Sequence, residues 1–215
     1  LVLSGCASVG ASFTVSVNSL SSSLASERST YIILPGNENV SLNDLEFLEY
    51  MGYLRRALNM KGFTFTENFE DADVAVLLSY GITDPKESQY TASVPIIGTE
   101  KYIISNVYIP GSGFQPVYGS RTAVTGYNNV QRSYTTYFRY VEIIGIDLKK
   151  YLQSEELVQL WQTQITSTGS SSDLRYVFPV LIGAASAYLA SDTKKIIELD
   201  LSENDPRVRR VKGLP

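Results

Sequence analysis

The chain has 215 residues, 44% of them hydrophobic and 19% charged, a globular composition long enough for one domain plus a tether. A net charge of −4 and a sequence pI of about 5.0 speak against a nucleic-acid partner, because phosphate binding needs a basic face. With no His and one Cys, Ser-His-Asp and Cys-His catalysis in their usual forms, the commonest metal ligand and an internal disulfide are all excluded, and no cofactor is implied.

The first element is the stretch Leu3-Ser4-Gly5-Cys6. It resembles the lipobox of bacterial lipoproteins, in which an apolar leader ends in Leu, two small residues and an obligatory Cys. The resemblance implies that Cys6 receives a diacylglyceryl group, that the leader is cut before it and that the new amino terminus is acylated. Residues 1–5 are then the remnant of a signal peptide whose earlier part is missing, since no Met opens the sequence. Two or three acyl chains together anchor a protein stably, whereas one holds reversibly. In enteric-type lipoproteins an Asp after the acylated Cys favours retention at the inner membrane. Here that position is Ala7, so the expected location is the outer membrane, facing the periplasm.

Residues 6–29 read as a Ser-rich tether, nine of the 23 residues from Ala7 to Ser29 being Ser. The alternation Phe13-Thr-Val15-Ser-Val17 predicts a first strand within it. Tyr31–Leu34, closed by Pro35-Gly36, is a short strand. A helix follows, with Ser41 as cap, Asp44 completing the capping box, Val40 stapled to Leu45, and Phe47, Met51, Leu54 and Leu58 on one stripe beside Leu48. Gly62 ends it.

Asp73–Tyr80 is a nearly continuous apolar run of strand length, expected at the centre of a sheet beneath that helix. Residues 82–100, with Pro85 and Pro95, read as irregular. Tyr102–Ile109 is a strand and Pro110–Gly113 a loop, after which residues 114–148 are expected to form two long antiparallel strands. Leu157–Thr168 is another strand, holding Trp161. A helix capped by Ser170–Ser172 runs to about Ser191, with Pro179 kinking it or marking its start. Lys194–Leu201 is a last strand, and residues 204–215 are a basic tail. Val177–Ala190 is uncharged but shorter than the roughly 18 to 20 apolar residues a membrane span requires.

This order predicts an α+β class: a mainly antiparallel, mixed sheet with two helices packed on one face, forming a single domain over residues 30–203. The segments LNDLEFLEYMGYLRRALNMKGF, DADVAVLLSYG, LVQLWQTQITSTG and LRYVFPVLIGAASAYL resemble the bacterial lipoproteins grouped as the DUF4136 family. The resemblance covers roughly residues 31–200 and implies a fold and a location, with no catalytic residues to carry over.

Four features are candidate chemistry. Asp71 and Asp73 sit at a strand entrance, where a pair of carboxylates can serve a hard cation or simply keep the entrance solvated. Gly111-Ser-Gly113 has no helix opening after it and reads as a turn, not a phosphate cradle. The aromatic residues Tyr102, Tyr108, Phe114, Tyr118, Tyr127, Tyr134, Tyr137 and Tyr140 form a candidate interaction surface; Phe138 and Tyr151 complete the run. Tyr suits both contact surfaces and the cross-strand pairs of a half-exposed sheet. Arg207, Arg209, Arg210 and Lys212 are candidate contacts to anionic headgroups or an acidic partner.

No catalytic or metal-binding residue is assigned. The expected function is that of a non-catalytic envelope lipoprotein, held at the membrane by its N-terminal lipid and docking another envelope protein as an accessory subunit. The alternatives are a periplasmic module binding a lipid, glycan or peptide between helix and sheet, and a carboxylate-based hydrolase.

Overall fold

A computed structural model describes residues 11–215, so the lipobox reading of Leu3–Cys6 lies outside the described residues. The chain divides into two compact units. One comprises the described residues up to Lys86 together with Thr136–Pro215, and the other is Glu87–Thr135. The single domain expected over residues 30–203 is therefore interrupted by a second unit.

The sheet has eight strands: β1 (Ser12–Ser21), β2 (Thr30–Pro35), β3 (Thr64–Phe65), β4 (Val74–Ile82), β5 (Lys86–Ile109), β6 (Gly113–Asp147), β7 (Gln159–Gly169) and β8 (Ile197–Ser202). Their order is β3-β2-β4-β6-β7-β1-β8, with β5 paired to β6. β2 runs parallel to β3 and β4, and the other main-unit neighbours are antiparallel. The helices are α1 (Leu45–Met60), α2 (Leu148–Ser154), α3 (Leu174–Ala185) and α4 (Pro206–Val211). The α+β class with an open mixed sheet is the one the sequence predicts. α1 is the crossover that lets β2 and β4 lie parallel.

The pleat separates the two faces. Tyr80 pairs with Val141, Val141 with Ile165, Ile165 with Val17 and Val17 with Ile197, a row that crosses the sheet. Its first four members are buried, and Phe47, Tyr50, Leu54 and Leu58 of α1 and Phe178, Leu181 and Ile182 of α3 join them in one core. The Tyr50 ring stacks on Phe178 at a centroid distance of 3.8 Å, and Tyr80 meets Tyr50 edge-on at 4.7 Å. On the other face Glu142 accepts from the side-chain amides of Gln162 and Gln164 at 2.6 and 3.1 Å.

Several expectations need correction. The N-cap of α1 is Asp44, whose Oδ1 accepts from the N–H groups of Glu46 and Phe47 at 2.9 and 3.2 Å. The helix therefore starts past Ser41, and Leu45 is exposed instead of stapled to Val40. The buried stripe includes Tyr50 and Ala57, while Met51 is only partly covered and Leu48 is exposed. α3 starts at Leu174 because Asp173 accepts from Tyr176 N at 3.0 Å, so Pro179 lies inside it. Among the described residues the α-helices number four, not the two expected. α2 reaches the opposite face, where Leu148 packs with Ile32, Ala72 and Ala75.

Residues 204–215 are not a free tail. Asp205 caps α4 with Pro206 at its first position, and Val208 and Val211 are fully buried. A Cβ placed on Gly183 would sit 3.0 Å from Val208 Cγ2 and 3.1 Å from its backbone N, so glycine is what lets α4 approach α3 this closely.

The Glu87–Thr135 unit is a two-stranded ribbon of β5 and β6 joined by a turn at Pro110–Ser112. Residues 86–100, expected to be irregular, are strand, and the run 114–148 is not two strands but part of β6 continuing to Asp147. Pro95 lies within β5, since Pro is tolerated in a strand where its missing N–H has no partner to lose, and Pro85 stands just before it.

Candidate interaction surface

The ribbon is organised by cross-strand contacts within it. Arg121 donates from Nε and Nη2 to Glu100 Oε2 at 3.0 and 2.9 Å, and its guanidinium lies 5.5 Å from the Tyr102 ring centre. Thr125 donates to the Ile96 carbonyl at 3.3 Å, and Ser93 donates to Asn129 Oδ1 at 2.8 Å. Tyr90 meets Tyr134, and Tyr108 meets Phe114, both edge-on, at 6.0 and 5.3 Å. The turn needs two left-handed residues, Gly111 at φ +85° and Gly113 at φ +74°, which explains the glycines there; β6 begins at Gly113.

Of the eight aromatics singled out in the sequence, Tyr102, Tyr108, Phe114, Tyr118, Tyr127 and Tyr134 are exposed on this ribbon. Tyr137 and Tyr140 belong to the main unit and are half-buried. Tyr140 pairs with Gly81 and covers it, a Cβ there falling 2.6 Å from the Tyr140 hydroxyl. Sequence reasoning missed the aliphatics between the tyrosines. Val94, Ile96, Ile97, Ile103, Ile104, Val107, Ile109, Val117, Val124 and Val130 are also exposed. The signal was available in the charge pattern, since Tyr102–Ser120 contains no charged residue.

Two members of the basic cluster, Arg207 and Arg209, have partners within the chain. Arg207 forms a fork with Asp205, with Nε and Nη2 each 2.9 Å from a carboxylate oxygen, and Arg209 Nε donates to the Pro215 carbonyl at 2.9 Å. Arg207 is thus neutralised locally, while Arg210 and Lys212 remain on α4 and just after it.

The acids at the strand entrance are structural. Asp73 Oδ2 accepts from the N–H groups of Ser29 and Thr30, both at 3.1 Å, and its Oδ1 meets Lys149 Nζ at 2.5 Å. Burial pushes the Asp73 carboxyl up, but the hydrogen bonds from Lys149, Thr30 and Ser29 outweigh it and hold the group well below the usual carboxylate range. Asp71 instead accepts from Asn68 at 3.0 Å. Among the described residues no three potential metal ligands from His, Cys, Asp and Glu cluster together. Each acid with a shifted pKa, namely Asp73, Asp147, Asp192 and Asp205, is shifted down, the opposite of what a general acid requires.

The interface of α1 and α3 with the sheet is occupied by the core described above. A groove of about 390 Å³ lies at the side of α1, lined by Leu34, Leu42, Leu48, Met51, Phe65 and Phe69 among others. No helix among the described residues is long and apolar enough to cross a membrane.

No family model and no curated protein matches the chain. Among solved structures it is similar to a PDZ domain protein from Parabacteroides distasonis, at 13% identity and a TM-score of 0.42 over 89% of this chain. The chain spans 39% of that protein's length. It is also similar to a DUF4136 family protein from Bacteroides thetaiotaomicron, at 14% identity and a TM-score of 0.35, over 80% of this chain and 91% of that one.

Proposed function

We propose that this chain is a non-catalytic lipoprotein of the bacterial cell envelope, anchored through Cys6 at the periplasmic face of the outer membrane and serving as a docking subunit of a larger assembly. The observation that carries the docking role is the ribbon of Glu87–Thr135. It exposes large apolar and aromatic side chains along the length of both strands, whereas the main unit has a buried core and exposes its large apolar side chains at scattered positions. A two-stranded hairpin has marginal stability in water, and extended apolar surface of this kind is the mark of a contact site. The anchor and the location rest on the LSGC motif and Ala7.

The test is mild detergent extraction of the full-length protein from its native host, with mass spectrometry of the N-terminal peptide. The expected result is a lipidated Cys6 and a co-extracted assembly that is lost when Tyr102, Tyr108, Phe114 and Tyr118 are replaced together by Ser. A monomer alone at every concentration overturns the docking role. An unmodified Cys6 thiol overturns the anchor.

A further inference from the structure

We propose that the occupant of the ribbon is a second copy of the same ribbon: β5 of one copy pairs antiparallel with β6 of the next, and the copies repeat head to tail into a ring. This rests on the reading of the ribbon as a docking surface and goes further by naming the partner and the geometry.

The first argument is the number of free edges. Among the described residues, β5 pairs within Glu87–Thr135 only with β6 and this part of β6 only with β5, so the ribbon presents an unpaired backbone edge on each side. β5 alone is 24 residues long. At about 3.3 Å per residue its edge runs for roughly 80 Å. A single foreign strand would pair with one edge and leave the other. A neighbouring copy in the same orientation places its descending β6 beside the ascending β5, which is antiparallel, and leaves the same two edges at the ends of the pair. Such a heterologous contact repeats until it closes, and closure is what removes edges from a sheet.

The second argument is what the edges lack. Proteins that keep exposed strands apart place charges, especially Lys, along them. Between Glu87 and Thr135 the charged residues are Glu87, Glu100, Lys101, Arg121 and Arg132 only, three cations against two anions, so like copies do not repel.

The third argument is register. Glu100 and Arg121 already lie at one level, since they pair across the ribbon. Copies standing side by side at equal height therefore bring Glu100 of one next to Arg121 of its neighbour. Ile103 and Ile104 are consecutive and both exposed, so the two faces of the ribbon are apolar here, and each gains cross-strand neighbours from the next copy.

The experiment uses the full chain in native membranes with the photo-reactive residue p-benzoylphenylalanine in place of Tyr102. Head-to-tail pairing predicts a ladder of adducts at successive multiples of the monomer mass extending beyond the dimer, because every copy both gives and receives one link. Glu100→Arg is expected to abolish the ladder, and Glu100→Arg combined with Arg121→Glu to restore it, with an unchanged melting temperature for the main unit in both. A dimer and nothing larger overturns the head-to-tail geometry. Adducts only to a different protein, or only to lipid, overturn self-pairing; the former leaves the docking role standing. Absence of any adduct, with the chain folded, overturns both.

Discussion

Arg28 donates from Nη2 to Asp147 Oδ2 at 2.8 Å, joining the segment before β2 to the residue that caps α2. Asp147 also accepts from Lys150 N at 3.0 Å through its other oxygen, so one buried carboxylate holds two elements distant in sequence. Asp147→Ala removes both a cap and an ion pair, and is expected to cost about 1 to 3 kcal/mol. Arg28→Ala is expected to cost less, because the cap survives and the Arg28 side chain is 30% exposed. Urea denaturation of the two variants checks the ranking, and equal midpoints would count against it.

Acid should find the same corner. Burial pushes the carboxyl of Asp147 up, but the hydrogen bonds from Lys150 N and Arg28, and the charge of Arg28, leave it lowered, as Asp73 is by Lys149 and the Ser29 and Thr30 amides. A group lowered on folding stabilises the fold above its unfolded pKa, about 3.9 for Asp, and loses that contribution as pH falls toward the folded value. The melting temperature should therefore hold between pH 5 and 7 as far as these groups are concerned and fall from about pH 4 downward. Asp73→Asn should be less stable at neutral pH and show a shallower acid decline. An unchanged acid slope would refute this assignment.

Arg139 poses the opposite case. It stands on the core face of β6, is 1% exposed, and its Nε and Nη1 have no hydrogen-bond partner among the described residues. Burial lowers its pKa. Its guanidinium occupies the space where a Cβ on Gly169 would sit, which is why that strand ends in glycine. Replacing buried charge by an apolar side chain of similar length is often neutral or stabilising, by about 1 to 4 kcal/mol. Arg139→Met should thus keep or raise the melting temperature. A clear drop would show that Arg139 is a net contributor to stability.

The contact between α3 and α4 tests the corrected C-terminus. Gly183→Val would push side-chain atoms into the Val208 backbone, and overpacking of this kind costs about 1 to 3 kcal/mol. Limited proteolysis should then release residues 206–215 faster than in the parent chain. A free tail would be cut equally in both.

The local patterns were legible where one element carried its own signal. The apolar run Val74–Leu78 and the stripe of Phe47, Leu54 and Leu58 repeat at strand and helix periods, so their existence and burial follow from residue order. The Tyr-rich middle read as either a contact surface or the cross-strand pairs of a half-exposed sheet, because Tyr suits both. Its aliphatic half is decided by the fold, which leaves Ile and Val side chains of the ribbon facing solvent.

What residue order alone determined about this protein is therefore its class and its two main helices. Tertiary structure decided the rest. α4 is six residues long, too short to hold by propensity, and exists because Val208 and Val211 have a core to enter. Asp73 became a structural anchor because folding brought Lys149 to it from across the chain. The ribbon strand begins at Lys86, before Pro95, because backbone pairing with a strand many residues later overrides the local preference of proline for irregular chain. In each case the deciding partner is remote in sequence, and no local window contains its contribution.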